Sequence, residues 1–167
     1  MLDVHYLLTI GMRMAIAVVL TLPIAREREQ HDVSAGLRTF PIVAVGACAL
    51  ILLSRAVLGR NSDSQTHVLQ GLVTGVGFIG GGAIIKANDR VHGTATAASI
   101  WATAIVGAAV GFEQSEIAIV LAVVTFVTLR AIGLLEDRHV LPSSDERPAP
   151  SEARPESTTQ PPQKDAN

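Results

Sequence analysis

The sequence has little cysteine, few aromatic residues and little charge, and each shortage excludes a class of protein. The single cysteine, Cys48, excludes a disulfide framework and any metal site built from several cysteines. Six aromatic residues in all are too few for the stacking surface that is typical of nucleic-acid binding. Charged residues make up 17% of the 167 residues, whereas about 25% is usual in soluble domains, so a water-soluble globule is not expected.

The aromatic residues are four phenylalanines, Tyr6 and Trp101, and no cluster of lysine or arginine lies among them. Stacking on bases needs aromatic side chains next to such a cluster. We therefore expect no nucleic-acid partner.

Apolar residues form five long runs separated by short polar segments. Each run has 18 or 19 residues, which as a helix covers about 27–29 Å and matches the hydrocarbon thickness of a bilayer. Neither irregular backbone nor an open sheet edge can face lipid, so the runs are expected to be helical. We predict an all-α integral membrane protein with a bundle of five transmembrane helices in a domain of residues 1–139, at about 7–25, 40–58, 68–85, 94–112 and 117–135.

Five crossings place the two ends of the chain on opposite sides of the membrane, and the cations indicate which side is which. Ten lysines and arginines fall on the side of the C-terminus, and three, Arg13, Arg55 and Arg60, on the side of the N-terminus. Cytoplasmic segments carry the excess of these residues. We therefore predict that the N-terminus is outside and the C-terminus inside.

Residues 140–167 have a different composition, rich in Pro, Ser, Glu and Gln, with six of the eight prolines. This composition predicts a disordered cytoplasmic tail. The segments between the apolar runs have at most 14 residues, which leaves no room for a soluble catalytic domain. The chain is therefore not expected to be an enzyme.

Six glycines in the third run predict close contact with a neighbouring helix. Each glycine costs up to about 1 kcal/mol in a helix relative to alanine, and close backbone packing in lipid can offset that cost. Because the fourth run is rich in small residues, we expect these two helices to form a tight antiparallel hairpin at the centre of the bundle. The alternative is a broken helix at residues 80–82 that exposes carbonyls to an ion. The candidate packing residues are Gly71, Gly75, Gly77, Phe78, Gly80, Gly81, Gly82, Thr96 and Trp101, the last expected inside the bundle.

Charged residues near the membrane are candidate interaction sites. Arg13 lies about 10 Å inside the first run. It is either functional there or extends to the outer face, with Asp3, Asp63, Glu113 or Glu116 as its counter-charge. Residues 26–39 are expected to form an inner loop, because Pro23 should kink or end the first helix. That loop is either a solvated rim of ion pairs or a surface that docks a partner or a lipid headgroup. Arg55 and Arg130, near run ends, are expected to reach the interface.

No residues have the spacing of a metal or cofactor site. The five histidines are scattered along the chain, and Cys48 lies in an apolar run, where it is expected to fill space as a small packing residue. No metal and no cofactor are therefore expected.

Four short stretches, taken in order, resemble the MgtC/SapB family of bacterial inner-membrane proteins. They read E-R-E at 27–29, A-G-L-R-T at 35–39, G-V-G-F-I-G-G-G at 75–82, and V-H-G at 91–93 followed by T-A-A-S-I-W at 96–101. The resemblance covers about residues 5–135, without the soluble C-terminal domain of long members. It implies interaction candidates at Arg13, Glu27, Arg28, Glu29, Gly36, Arg38 and Thr39.

The resemblance also implies a link to growth in low magnesium and to survival inside host cells. Some members of the family act by binding other membrane proteins, including the proton-translocating ATP synthase. We therefore expect a non-enzymatic regulator in the bacterial inner membrane, with an ATP synthase or a transporter as partner and a homo-oligomer left open. Replacing Arg28 or Arg38 with alanine is expected to impair partner binding while the protein still accumulates.

The alternative function is a small ion or Mg²⁺ transporter. All 15 acidic residues fall outside the five apolar runs. A magnesium ion inside the membrane would therefore have to be held by backbone carbonyls and water, which is less typical of its sites.

Overall fold

The computed structural model describes residues 3–31, 36–59, 62–87 and 90–137, which form five helices and one β-hairpin. The helices are α1 (Val4–His31), α2 (Thr39–Leu58), α3 (Ser62–Gly82), α4 (Thr94–Gly111) and α5 (Ser115–Asp137). Strands β1 (Ile85–Ala87) and β2 (Arg90–His92) pair antiparallel between α3 and α4. The predicted tail at 140–167 lies outside the described residues.

Four of these helices, α1, α2, α4 and α5, are long and apolar enough to cross a membrane. Helix α3 has 21 residues, about 31 Å of helix, but it contains no stretch as apolar as those of the other four helices. The prediction of an all-α bundle with helices of membrane-spanning length is therefore confirmed for four helices. A crossing by α3 remains a prediction.

The boundaries of α1 and α3 differ from those expected. Helix α1 continues through Pro23 to His31 instead of ending near residue 25. Proline removes one backbone donor, and the residues that follow still pack against α4 and α5, which keeps the helix intact. Helix α3 ends at Gly82, because Ile85 pairs with His92 in the hairpin.

Helix α4 lies at the centre of the bundle. It contacts all four other helices and packs most extensively against α2. Of its apolar segment, 61% is buried inside the protein, compared with 11–28% in the other three apolar helices. The core therefore surrounds α4, while α3 lies at the edge and packs mainly on α4.

The closest helix contact joins α2 and α4 backbone to backbone. A Cβ added at Gly107 would clash with the carbonyl oxygen of Ala44 and lie 2.8 Å from its carbonyl carbon. One turn further, a Cβ at Gly111 would lie 2.8 Å from Cβ of Ile51. The pair Gly107 and Gly111 is a G-x-x-x-G spacing, which lets helices approach this closely.

A glycine also joins the hairpin to α4. Gly93 has a φ of +84°, in the left-handed region that side chains disfavour. A Cβ there would clash with the carbonyl oxygen of Ala83. The last residues before α4 thus lie directly against the end of α3.

Candidate functional site

The segment Glu27-Arg28-Glu29 forms part of α1 and does not lie in a loop, so the predicted inner loop at 26–39 is wrong for its first residues. A helix fixes the directions of successive side chains about 100° apart. The three charged side chains therefore leave α1 toward different neighbours, which an irregular loop would not ensure.

Each of the three side chains contacts a different element. Nη1 of Arg130 on α5 lies 3.4 Å from Oε1 of Glu27, which is almost fully buried. Nη2 of Arg28 donates a hydrogen bond of 2.8 Å to Oγ1 of Thr96 on α4. The backbone N–H of Leu37 donates to Oε2 of Glu29 at 3.4 Å. Together these contacts tie the end of α1 to α4, to α5 and to the segment before α2.

The segment before α2 supplies two of the predicted site residues to this contact region. A Cβ added at Gly36 would lie 2.9 Å from Cβ of Glu29, so this segment approaches α1 closely. The N–H of Thr39 donates to the carbonyl of Gly36 at 3.0 Å as α2 begins. We call Glu27, Arg28, Glu29, Gly36, Thr96 and Arg130 the Glu27 cluster. Arg38 is exposed beside it.

A second polar cluster lies at the opposite end of the bundle. Nη1 of Arg13 and Nη1 of Arg55 each lie 3.0 Å from Oε1 of Glu113. Arg55 also donates to the carbonyl of Gly111 at 3.2 Å. Of the four acids considered as counter-charges for Arg13, the structure pairs it with Glu113. We call Arg13, Arg55 and Glu113 the Glu113 cluster.

The geometry of the Glu113 cluster places one carboxylate between two cations. Glu113 has a φ of +69°, which is unusual for a residue with a side chain. The arginine side chains are mostly buried, with 22% of Arg13 and 16% of Arg55 exposed. The cluster thus places one negative charge between two arginines near an end of the apolar region and joins α1, α2 and the turn before α5.

The predicted close packing of α3 against α4 is not found at most of the glycines of α3. Only Gly80 approaches α4: a Cβ there would lie 3.3 Å from the carbonyl oxygen of Ala97. The other five have open space where a Cβ would be, namely Gly71, Gly75, Gly77, Gly81 and Gly82. Close packing occurs between α2 and α4 instead, where Ala44 is small enough to meet Gly107.

Two large side chains predicted to pack between helices are exposed in the single chain. Phe78 is 85% exposed, and Trp101 is 47% exposed. Trp101 lies on the face of α4 that the other helices leave uncovered, so its depth along the helix did not determine its burial. Thr96, by contrast, is fully buried.

Sequence reasoning missed two residues that complete these clusters. Arg55 and Arg130 were expected simply to extend to the interface, whereas each pairs with an acid. Their partners are 58 and 103 residues away in the sequence, and spacing along one helix carries no signal for such contacts. Among the described residues, no three His, Cys, Asp or Glu side chains come together in a way that could hold a metal ion.

The fold and the two clusters define a class, a multi-pass membrane protein whose apolar helices are joined at both ends by charged side chains. The model of the MgtC family matches residues 14–138, and the chain belongs to this family. No solved structure matches it.

Individual relatives are similar over most of the chain. The protein slr0014 of Synechocystis sp. is 31% identical over 137 residues, which cover 80% of this chain and 58% of the relative. YhiD of Escherichia coli strain K12, whose name proposes it as a magnesium transporter, is 31% identical over 132 residues, 75% of this chain and 61% of YhiD. The chain thus spans about three fifths of the length of these two relatives.

A third relative is more similar over a shorter region. MgtC of Brucella abortus is 42% identical over 85 residues, which cover 51% of this chain and 35% of that protein.

Proposed function

We propose that this chain is a non-enzymatic regulator of the bacterial inner membrane that acts on a membrane-protein partner when magnesium is scarce. The proposal rests on a difference between the charged residues at one end of the bundle, some of which contact helices while others are exposed. Glu27 and Arg28 contact neighbouring helices, whereas Arg38 and Lys86 are exposed at the same end. A rigid set of helix ends that presents exposed cations is suited to docking an acidic surface of a partner.

The proposal includes five crossings, with the N-terminus outside and the C-terminus inside. Successive helices run in opposite directions, because Arg13, Arg55 and Glu113 meet at one end and Glu27, Thr96 and Arg130 at the other. Helix α3 is long enough to cross, and its end lies against the start of α4. The exposed cations at the Glu27 end would then face the cytoplasm, in agreement with the distribution of positive charge in membrane proteins.

The connection to magnesium comes from relatives. The name of YhiD proposes magnesium transport for that protein, and MgtC of Brucella abortus shares the family. We extend a magnesium-related role to this chain because the family model covers residues 14–138, which include the whole Glu27 cluster and two of the three residues of the Glu113 cluster, Arg55 and Glu113.

Site-specific crosslinking in native membranes tests the regulator proposal. A photoreactive amino acid replaces Arg38 or Lys86 at the Glu27 end and, as matched controls, Asp63 or Glu116 at the other end; all four are exposed. We expect one defined adduct from the first two positions only, identified by mass spectrometry as a membrane protein. Equal adducts from all four positions would contradict a docking surface at the Glu27 end.

A growth assay connects that contact to function. A strain that lacks the chain is complemented with wild type or with Arg38→Gln and grown at limiting magnesium. We expect Arg38→Gln to accumulate normally, lose the adduct and grow poorly. Normal growth without the adduct would contradict regulation through this surface.

A small ion or Mg²⁺ transporter is the second candidate, favoured by the name of YhiD and by the three glycines at the end of α3. The N–H of Ala83 donates to the carbonyl of Gly80 at 3.1 Å, so the helix tightens there before it ends. Purified protein in liposomes with a Mg²⁺-sensitive dye tests this candidate. Flux that is lost in Gly80→Val but kept in Gly81→Ala would favour transport over regulation.

A further inference from the structure

A cavity of about 640 Å³ opens between α1 and α5 at the Glu27 end of the bundle. Its apolar wall includes Leu22, Pro23 and Phe126, and its polar wall includes Arg26 and Arg130. This volume lies within the range of about 300–1,000 Å³ that small-molecule sites occupy. Leu37, whose backbone N–H donates to Glu29, also lines the cavity, so the cavity lies directly beside the Glu27 cluster.

The two walls lie at different depths. Leu22 precedes Arg26 by four residues on α1, and Phe126 precedes Arg130 by four residues on α5. Four residues of helix rise about 6 Å, and both helices run toward the same end of the bundle. The apolar wall is therefore one turn closer to the middle of the bundle, and Arg26 and Arg130 lie at the outer rim.

The rim carries excess positive charge. Glu27, the acid in the cavity wall, is 7% exposed and pairs with Nη1 of Arg130 at 3.4 Å. Arg26 is exposed, and 53% of the Arg130 side chain is exposed. One carboxylate thus stands against two guanidinium groups, which leaves one positive charge and the N–H donors of Arg26 at the rim.

We propose that this cavity binds an anionic phospholipid of the surrounding leaflet. The phosphate would contact Arg26 and Arg130 at the rim, and the first acyl carbons would lie against Leu22 and Phe126. Guanidinium groups suit phosphate because their donors match its oxygens. A free anion would gain nothing from the apolar wall, whereas a phospholipid has an apolar part at the depth where that wall lies. The site does not depend on the regulator proposal, since it requires only the membrane location of α1 and α5.

Native mass spectrometry of the purified full chain tests the site. The protein is titrated with phosphatidylglycerol and with phosphatidylcholine of the same acyl chains. Each arginine near an anionic headgroup contributes about a fivefold preference. We expect tighter binding of phosphatidylglycerol, and a loss of about fivefold in Arg26→Gln with phosphatidylcholine binding unchanged.

Arg38→Gln is the matched control, because Arg38 is exposed at the same end but does not line the cavity. We expect it to bind phosphatidylglycerol like wild type. Since Arg130→Gln also removes the partner of Glu27, Arg130→Lys serves as a second variant that keeps the charge; it should keep most of the preference.

Three results would overturn the proposal. The first is equal binding of the two lipids by wild type. The second is an equal loss in Arg38→Gln, which would indicate general surface charge. The third is displacement of the lipid by millimolar inorganic phosphate, which would show that the anion alone is recognised.

Discussion

Arg28 donates a hydrogen bond of 2.8 Å from Nη2 to Oγ1 of Thr96, and this contact joins the last turn of α1 to the first turn of α4. Thr96 is fully buried. Arg28 therefore has a structural role, whereas Arg38 is exposed. The two arginines, which the sequence placed together as interaction residues, are expected to respond differently to substitution.

A double-mutant cycle tests the contact between Arg28 and Thr96. Arg28→Gln and Thr96→Val each remove one partner, and each should lower the free energy of unfolding by about 1–2 kcal/mol. Because both changes break the same bond, the double variant should lose less than the sum, with a coupling of about 1 kcal/mol. Unfolding in detergent gives the four values. Arg38→Gln is the control and should unfold like wild type; strictly additive losses in the cycle would contradict the bond.

Gly107 and Gly77 provide a matched test of where the helices pack. Gly107→Ala forces a methyl group against the carbonyl of Ala44, so it should destabilise the protein by about 1–3 kcal/mol. Gly77→Ala adds a methyl group in open space and should be neutral or stabilising by up to about 1 kcal/mol. Thermal unfolding and the amount of folded protein measure both. If Gly77→Ala destabilised the protein more than Gly107→Ala, the close helix contact would involve α3 instead, for example in an interface between two copies of the chain.

The Glu113 cluster predicts a rescue. Glu113→Gln removes the carboxylate that lies 3.0 Å from both Arg13 and Arg55, which leaves two like charges close together. This should destabilise the protein by about 1 kcal/mol, since Glu113 is partly exposed. Adding Arg13→Gln removes the repulsion and should recover part of the loss. Unfolding at low and at high salt measures the effect, which salt should reduce. Failure of the second substitution to recover any stability would contradict the charge argument.

Cysteine accessibility tests whether α3 crosses the membrane. In a Cys48→Ala background, Asp63→Cys lies in the first turn of α3 and Lys86→Cys in the hairpin after it, both at exposed positions. We expect an impermeant thiol reagent to label Cys at 63 from outside and Cys at 86 only after the cells are opened. Glu116→Cys is the control for the outer side. Labelling of positions 63 and 86 from one side would contradict five crossings.

Much of the fold follows from the sequence because apolar runs of 18 or 19 residues have few alternatives to membrane-spanning helices. The limits of those helices were harder to predict. Pro23 indicated a helix end, yet α1 continues to His31 because its last turns make tertiary contacts with Thr96 and Arg130. A local sequence signal such as a proline does not predict the helix end when contacts with residues distant in the sequence stabilise the following turns.

The same reason explains the errors at the candidate site. The glycines of α3 suggested close packing, but the number of glycines does not specify which helix lies opposite. Gly107 meets the backbone of Ala44, and Gly111 meets the side chain of Ile51 and the carbonyl of Cys48; this complementarity appears only when the two helices are placed together. Arg130 could have been found by a search for the cation that a buried Glu27 requires.

The peripheral position of α3 has a consequence for the order of assembly. Helices α1, α2, α4 and α5 are joined by the Glu27 and Glu113 clusters, whereas α3 approaches α4 closely at Gly80 and at the hairpin. Docking of α3 therefore contributes least to the cohesion of the bundle, and its amides should be the first of the five helices to exchange hydrogen for deuterium. The four-helix unit should hold its shape while α3 detaches and returns.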